Sequence, residues 1–263
     1  MVRMEPLFDI PALRLRRSRT RHKYAYQTNA TSHLLKGDKA MDIDINTVRL
    51  LGATQLLVFT SAVLGERLLA SVVGSGGISA TLVNISKNVT RMRISNLLAL
   101  VDSLATVVLA VLFFIVFNRQ HEIIALLALG FFLVHATTRA ISKIGGYALI
   151  PLSMEFVEAG APERSYFQTL GDLLHYGIDR QGDHIHNLFF CLGGILWYYL
   201  FLESGYIPQA LSLWGLVAVS LLLIPVLLQL NQRGFTHPIM AIGLLYVPFE
   251  PVLGIWLIVK GFN

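Results

Sequence analysis

The run from Ile94 to Phe117, ISNLLALVDSLATVVLAVLFFIVF, contains a single charged residue, Asp102. About 20 mostly apolar residues in a helix are what cross the ~30 Å hydrocarbon of a bilayer. In that solvent each backbone N–H and C=O has to be met from within the protein, so a spanning segment closes on itself as a helix. Comparable runs lie at about Leu50–Val73, Ile123–Ile144, Asn187–Leu202, Ala210–Leu230 and Ile239–Val259. The chain is therefore read as all-α, a polytopic membrane helix bundle of about six transmembrane helices with both termini on one side. Composition agrees, because 14% charged residues is well below the roughly one quarter of a soluble domain.

Charge is concentrated before Arg49. Arg14, Arg16, Arg17, Arg19, Arg21 and Lys23 cluster there, and residues 1–48 read as a basic, disordered arm that can touch anionic lipid. No aromatic platform or folded module surrounds the cluster, so no nucleic acid is expected. The arm holds no apolar run long enough for a signal peptide. Met41, followed by DIDINTVR, is an alternative start, which would leave residues 1–40 outside the native protein. Residues 49–263 form the six-helix domain. Orientation stays open, since the arm and the loop residues Lys87, Arg91 and Arg93 argue for opposite sides.

Between the spans, Gly74-Ser75-Gly76-Gly77 should break the first helix, and the adjacent Glu66 and Arg67 should snorkel to the interface. Gly145-Gly146 and Pro151 should bend or end the third. The stretch at about 154–184 is too polar to cross and reads as an amphipathic, non-spanning segment. Gly193-Gly194 should allow close helix contact in the fourth span.

Two sets of residues could carry chemistry. A charge at mid-membrane costs a few kcal/mol on insertion scales, so such residues usually face a partner. Asp102 in span two should pair with Arg139 or His135 in span three, either as a packing ion pair or as part of a transport or catalytic site. Glu250, between Pro248 and Pro251, can accept a proton or coordinate an ion, or can pair with Arg233 or Lys260. The second set lies in the polar run that feeds span four. On an ideal helix at about 100° per residue, Asp172, His175, Asp179, Asp183 and His186 share an arc of roughly 80°. Carboxylate and imidazole at that spacing can bind a divalent metal, zinc or iron, which would activate water in a membrane-embedded hydrolase. Gly171, Gly177 and Gly182 weaken that helix, no His-Glu-x-x-His motif occurs, and a solvated face explains the same residues.

Arg49-Leu50-Leu51-Gly52 at the start of span one, Gly193-Gly194 through Tyr199, Ser204-Gly205-Tyr206-Ile207-Pro208, and Glu250 with Trp256-Leu257 and Lys260-Gly261 occur in an order that resembles the bacterial domain-of-unknown-function family 4386. The resemblance implies a six-span membrane protein and supplies no reaction, ligand or partner; the arm and the His-rich junction are departures from the usual pattern. Two functions are carried forward. One is an integral membrane protein of the bacterial cytoplasmic membrane that binds a small molecule or ion and is transport-like or accessory. The other is the metal-dependent hydrolase. The lipid bilayer is the one partner the sequence specifies, with ligand and oligomeric state open. The chain should remain in the membrane pellet after an alkaline carbonate wash, and its release into the supernatant would overturn the spanning assignment.

Overall fold

The computed structural model describes residues 44–163, 165–231, 243 and 245–263; the basic arm lies outside them. Helix α1, Ile45–Val73, starts where the Asp44 carboxylate accepts from the Asn46 backbone N–H at 3.2 Å. It stops at Gly74, whose φ of 69° lies in the region that only glycine enters freely. Helix α2, Ile78–Lys87, occupies what the sequence reads as loop, and buries Thr81, Leu82 and Ile85. Then follow α3, Val89–Phe117, and α4, Glu122–Glu158. After a short α5, Tyr166–Asp172, a π-helical segment, Leu173–Arg180, leads without a break into α6, Gln181–Ser204. Helices α7, Gln209–Asn231, and α8, Phe249–Val259, complete the described bundle.

The protein is thus a helical membrane bundle. Five of its helices are long and apolar enough to cross a bilayer: α1, α3, α4, α7 and the continuous rod Tyr166–Ser204. The expected sixth span, about 239–259, is seen as the shorter α8, and 232–242 lie outside the described residues. Neighbours pack in sequence: α1 on α3 and α8, α3 on α4, α4 on α6, and α6 on α7.

Two expectations about boundaries are corrected. Gly145-Gly146 and Pro151 do not end the third span, because α4 continues through Pro151 to Glu158, roughly 55 Å at 1.5 Å per residue. The glycines serve close packing instead. A Cβ on Gly145 would lie 2.7 Å from the Leu174 carbonyl oxygen of the π segment, and one on Gly146 would lie 2.6 Å from Asn96 Oδ1. Nor is 154–184 a separate amphipathic element. Its first residues complete α4, and those from Tyr166 onward belong to the rod that ends at Ser204.

The interior is stratified. One apolar cluster gathers Phe113, Phe117, Trp197, Phe201 and Leu253, with ring centroids of Phe117 and Phe201 4.8 Å apart. A second gathers Leu82, Ile85, Met92, Leu149 and Phe156. Along α4, residues 125–132 belong to the first and 149–156 to the second, while His135, Arg139, Ser142 and Lys143 lie between and are buried. The outer faces of the same turns are apolar: Ile144 is 64% exposed and Leu104, beside Asp102 on α3, is 70% exposed. A polar layer inside and hydrocarbon-compatible side chains outside is the arrangement of charges held within a bilayer.

Close approach of α1 and α8 rests on Gly52 and Gly254. A Cβ on Gly52 would meet the Gly254 carbonyl oxygen at 2.6 Å and Leu257 Cβ at 2.9 Å, whereas one on Gly130 meets nothing within 4 Å. Gly52→Leu should therefore push the helices apart at a cost of about 1–3 kcal/mol and lower the melting temperature in detergent. Gly130→Ala should leave it within about 0.5 kcal/mol of the wild type. Equal melting of Gly52→Leu and wild type would show that this contact is not a packing constraint.

Candidate functional site

Three residues one helical turn apart, His135, Arg139 and Lys143, form a column on the inner side of α4. Residues four apart on a helix lie above one another, so the column presents a ring and two cations to the same interior strip. The facing wall is the junction between the π segment and α6. There Gly182 abuts the Ser142 side chain and Gly145 abuts Leu174, which brings the two backbones together at the level of the charges.

Arg139 is the hub. Its Nε lies 2.7 Å from Asp102 Oδ2, a charge pair in which the N–H does not point along the contact, so no hydrogen bond forms at Nε. Its Nη2 donates to Glu66 Oε1 at 3.3 Å, and its Nη1 donates to His186 Nε2 at 2.9 Å and lies 3.9 Å from Asp183 Oδ1. One guanidinium thereby ties α1, α3, α4 and α6 together, using the several fixed N–H groups that distinguish arginine from lysine. One turn along, Lys143 Nζ donates to Asp179 Oδ1 at 2.9 Å and lies 3.3 Å from Asp183 Oδ1.

The two histidines add a constraint. Guanidinium has no acceptor, so the contact with Arg139 requires a lone pair on His186 Nε2 and a proton on its Nδ1. That N–H faces His135 Nδ1 at 3.1 Å. His135 Nδ1 is also 3.0 Å from the His186 carbonyl oxygen, a contact that would need the proton on His135 instead. His186 Nε2 also lies 3.4 Å from Asp183 Oδ1, a contact that would need the proton on Nε2, so no single proton placement meets every contact of the pair.

Glu250 is on the first turn of α8, where the helix N-terminus favours negative charge. Pro248 and Pro251, expected to interrupt a span around it, mark the start of this helix, where proline is tolerated. Glu250 Oε1 accepts from Tyr246 Oη at 3.2 Å, and Tyr246 Oη meets Tyr198 Oη at 2.7 Å. Among the described residues it has no cationic partner; Lys260 is at the far end of α8 and Arg233 lies outside the described residues.

A cavity of about 570 Å³ joins these groups. Asp102, His135, Arg139 and Glu250 line it, and so do Asp179, Asp183 and His186 from the junction. The two sets that the sequence kept apart meet in one space. Asp172 does not join them, being exposed on the outer side of the rod, and His175 is buried at 1% exposure with neither ring nitrogen hydrogen-bonded. The reason is the π segment: its i→i+5 bonding winds through fewer degrees per residue than an α-helix, so the phase assumed for Asp172 is lost while His175, Asp179 and Asp183, four apart, stay inward. Among the described residues no three His, Cys, Asp or Glu side chains are grouped to hold a metal. Asp179 and Asp183 face Lys143 and Arg139 instead.

Two members of the site escape the sequence reading. Lys143 looks like an end-of-span residue when the span is stopped at Ile144, although its spacing of four from Arg139 and eight from His135 marks the same face. Glu66 beside Arg67 looks like an interfacial pair, yet it reaches Arg139 while its own side chain is 53% exposed.

Fold and site together define a polytopic helical membrane protein with a charged layer in its interior. The domain of unknown function family DUF4386 matches residues 50–261, and the chain belongs to that family. No curated protein and no solved structure matches the chain.

Removing one partner of a buried ion pair strands the other charge, at about 3–5 kcal/mol. Arg139→Gln should destabilise the purified protein by that order, and adding Asp102→Asn should restore only part of the loss, because Glu66 and His186 still lack their partner while Asp183 keeps Lys143. Thermal melting in detergent checks this; wild-type melting of Arg139→Gln would remove Arg139 from the structural role.

Proposed function

We propose that the chain is a transport-like binding protein of the bacterial cytoplasmic membrane, whose interior cavity receives a small polar molecule or ion. The observation that carries this reading is the convergence of Asp102, His135, Arg139, Asp183, His186 and Glu250 on one cavity between two apolar strata. Charges in hydrocarbon are costly, and those that serve only packing can be fully mutually paired without leaving room beside them. Here the paired charges border a space of about 570 Å³, within the range of small-molecule sites. Part of the wall is apolar, from Val58, Ala62, Leu69 and Leu222, which suits a site with a few polar anchors on an apolar lining. The alternative of a metal-dependent hydrolase draws no support from the ligand geometry, because Lys143 and Arg139 hold Asp179 and Asp183 while Asp172 lies on the outer side.

Water access is the requirement that can be tested without knowing the ligand. In a Cys191→Ala background, Ala62→Cys faces the cavity and Leu104→Cys faces outward from a helix at the depth of Asp102. A charged methanethiosulfonate reagent, which reacts with thiols in water, should modify Ala62→Cys in membrane vesicles and spare Leu104→Cys. An unreactive Ala62→Cys in folded protein would mean the cavity is not reached from either side, and the binding reading would fail.

A further inference from the structure

We infer that the cavity is selective for an organic cation, with Glu250 as the carboxylate that meets its ammonium group; this rests on the reading of the cavity as a binding site. The first ground is charge. Five carboxylates, Glu66, Asp102, Asp179, Asp183 and Glu250, line the cavity; Arg139 and Arg180 line it too, and Lys143 backs Asp179. Among the described residues, with every carboxylate ionised and the histidines neutral, five negative charges against three positive leave an excess of two. An ionised carboxylate held away from water has to find a cation or take up a proton, so the field in this space favours a positive guest and disfavours an anion.

The second ground is which carboxylates are already used. Glu66, Asp102 and Asp183 share Arg139, and Asp179 and Asp183 share Lys143. Asp179, 1% exposed, still leaves its Oδ2 without a hydrogen-bond partner at the cavity wall. Glu250 has a hydroxyl and no cation among the described residues. Among the described residues these two acceptors have no cationic or hydrogen-bonding donor left to meet them beyond the contacts named.

The wall beside Glu250 separates an organic from an inorganic cation. Phe190 and Tyr246 line the cavity there, their rings packed edge to face with centroids 5.5 Å apart. Aromatic surface next to a carboxylate receives alkylated ammonium groups, which lose little hydration on entry and gain from the ring quadrupole. A bare metal cation needs several oxygens converging on one point, and no such group of side chains is present among the described residues. The volume also exceeds what a single ion fills.

Three probes that share a phenyl ring and differ in charge test the inference on full-length protein in nanodiscs: benzyltrimethylammonium, benzyl alcohol and benzoate, followed by calorimetry. Only the cation should bind, and Glu250→Gln, verified by its melting curve, should weaken it at least tenfold. Phe190→Leu, which keeps every charge, should weaken it by a smaller factor. Equal or tighter binding of benzoate or benzyl alcohol would overturn the cation assignment while leaving the cavity a binding site. Displacement of the probe by equimolar sodium would overturn the organic class. Cation binding unchanged in Glu250→Gln would remove Glu250 as its anchor. If none of the three binds while Ala62→Cys is labelled from water, the inference fails and the binding reading stands; if Ala62→Cys is also unreactive, both fail.

Discussion

A guanidinium inside a membrane protein cannot shed its charge, so everything around Arg139 is arranged to answer it. Four side chains from three other helices converge on it, Glu66, Asp102, Asp183 and His186. That convergence sets the mutual positions of α1, α3, α4 and α6 at one depth. Glycines make it geometrically possible: without Gly145 and Gly182 the π segment and α6 could not come close enough to α4 for Asp179 to reach Lys143. Above and below, the aromatic cluster around Trp197 and the aliphatic cluster around Leu149 exclude lipid and fix the helices in place. The polar layer contributes specificity of arrangement, and the apolar strata contribute most of the cohesion.

How much of this could be read from the chain depends on whether the signal was local. Span positions were legible because hydropathy is a property of a window, and the Gly74 stop because a positive φ there needs glycine. The pair of Asp102 and Arg139 was legible because a short connection makes α3 and α4 antiparallel neighbours. Lys143 was not, since Gly145-Gly146 and Pro151 read locally as a helix end, and only the tertiary contact with Leu174 and Asn96 shows them as packing residues within a longer helix. Glu66 was obscured by its neighbour Arg67, which offers a closer partner in sequence than Arg139 offers in space. The short helix α2 was hidden because its ten residues bury only one face, against Val72 and Leu149.

The junction residues show the same limit in rotational form. Five Asp and His side chains fall on one arc only if the helix is α throughout, and a π segment shifts that phase partway along. Asp172 lies before the shift and ends outside; Asp179, Asp183 and His186 end inside, each next to Lys143 or Arg139, with Asp183 also 3.4 Å from His186. What reads as a ligand set becomes the counter-charge for α4. The cavity exists because this counter-charge and the groups on α3 and α8 meet at one level without filling the space between them.

Because each turn of the π segment closes one residue later than in an α-helix, the rod from Tyr166 to Ser204 carries surplus length at Leu173–Arg180. Loss of a single codon there would let the rod rewind in its more common form with α5 and α6 keeping nearly the same phase, because seven residues at about 100° turn through about as much as eight wound more loosely. The surplus residue therefore changes which side chains of 173–180 are turned toward α4, while the two ends of the rod stay set as a plain α-helix would set them.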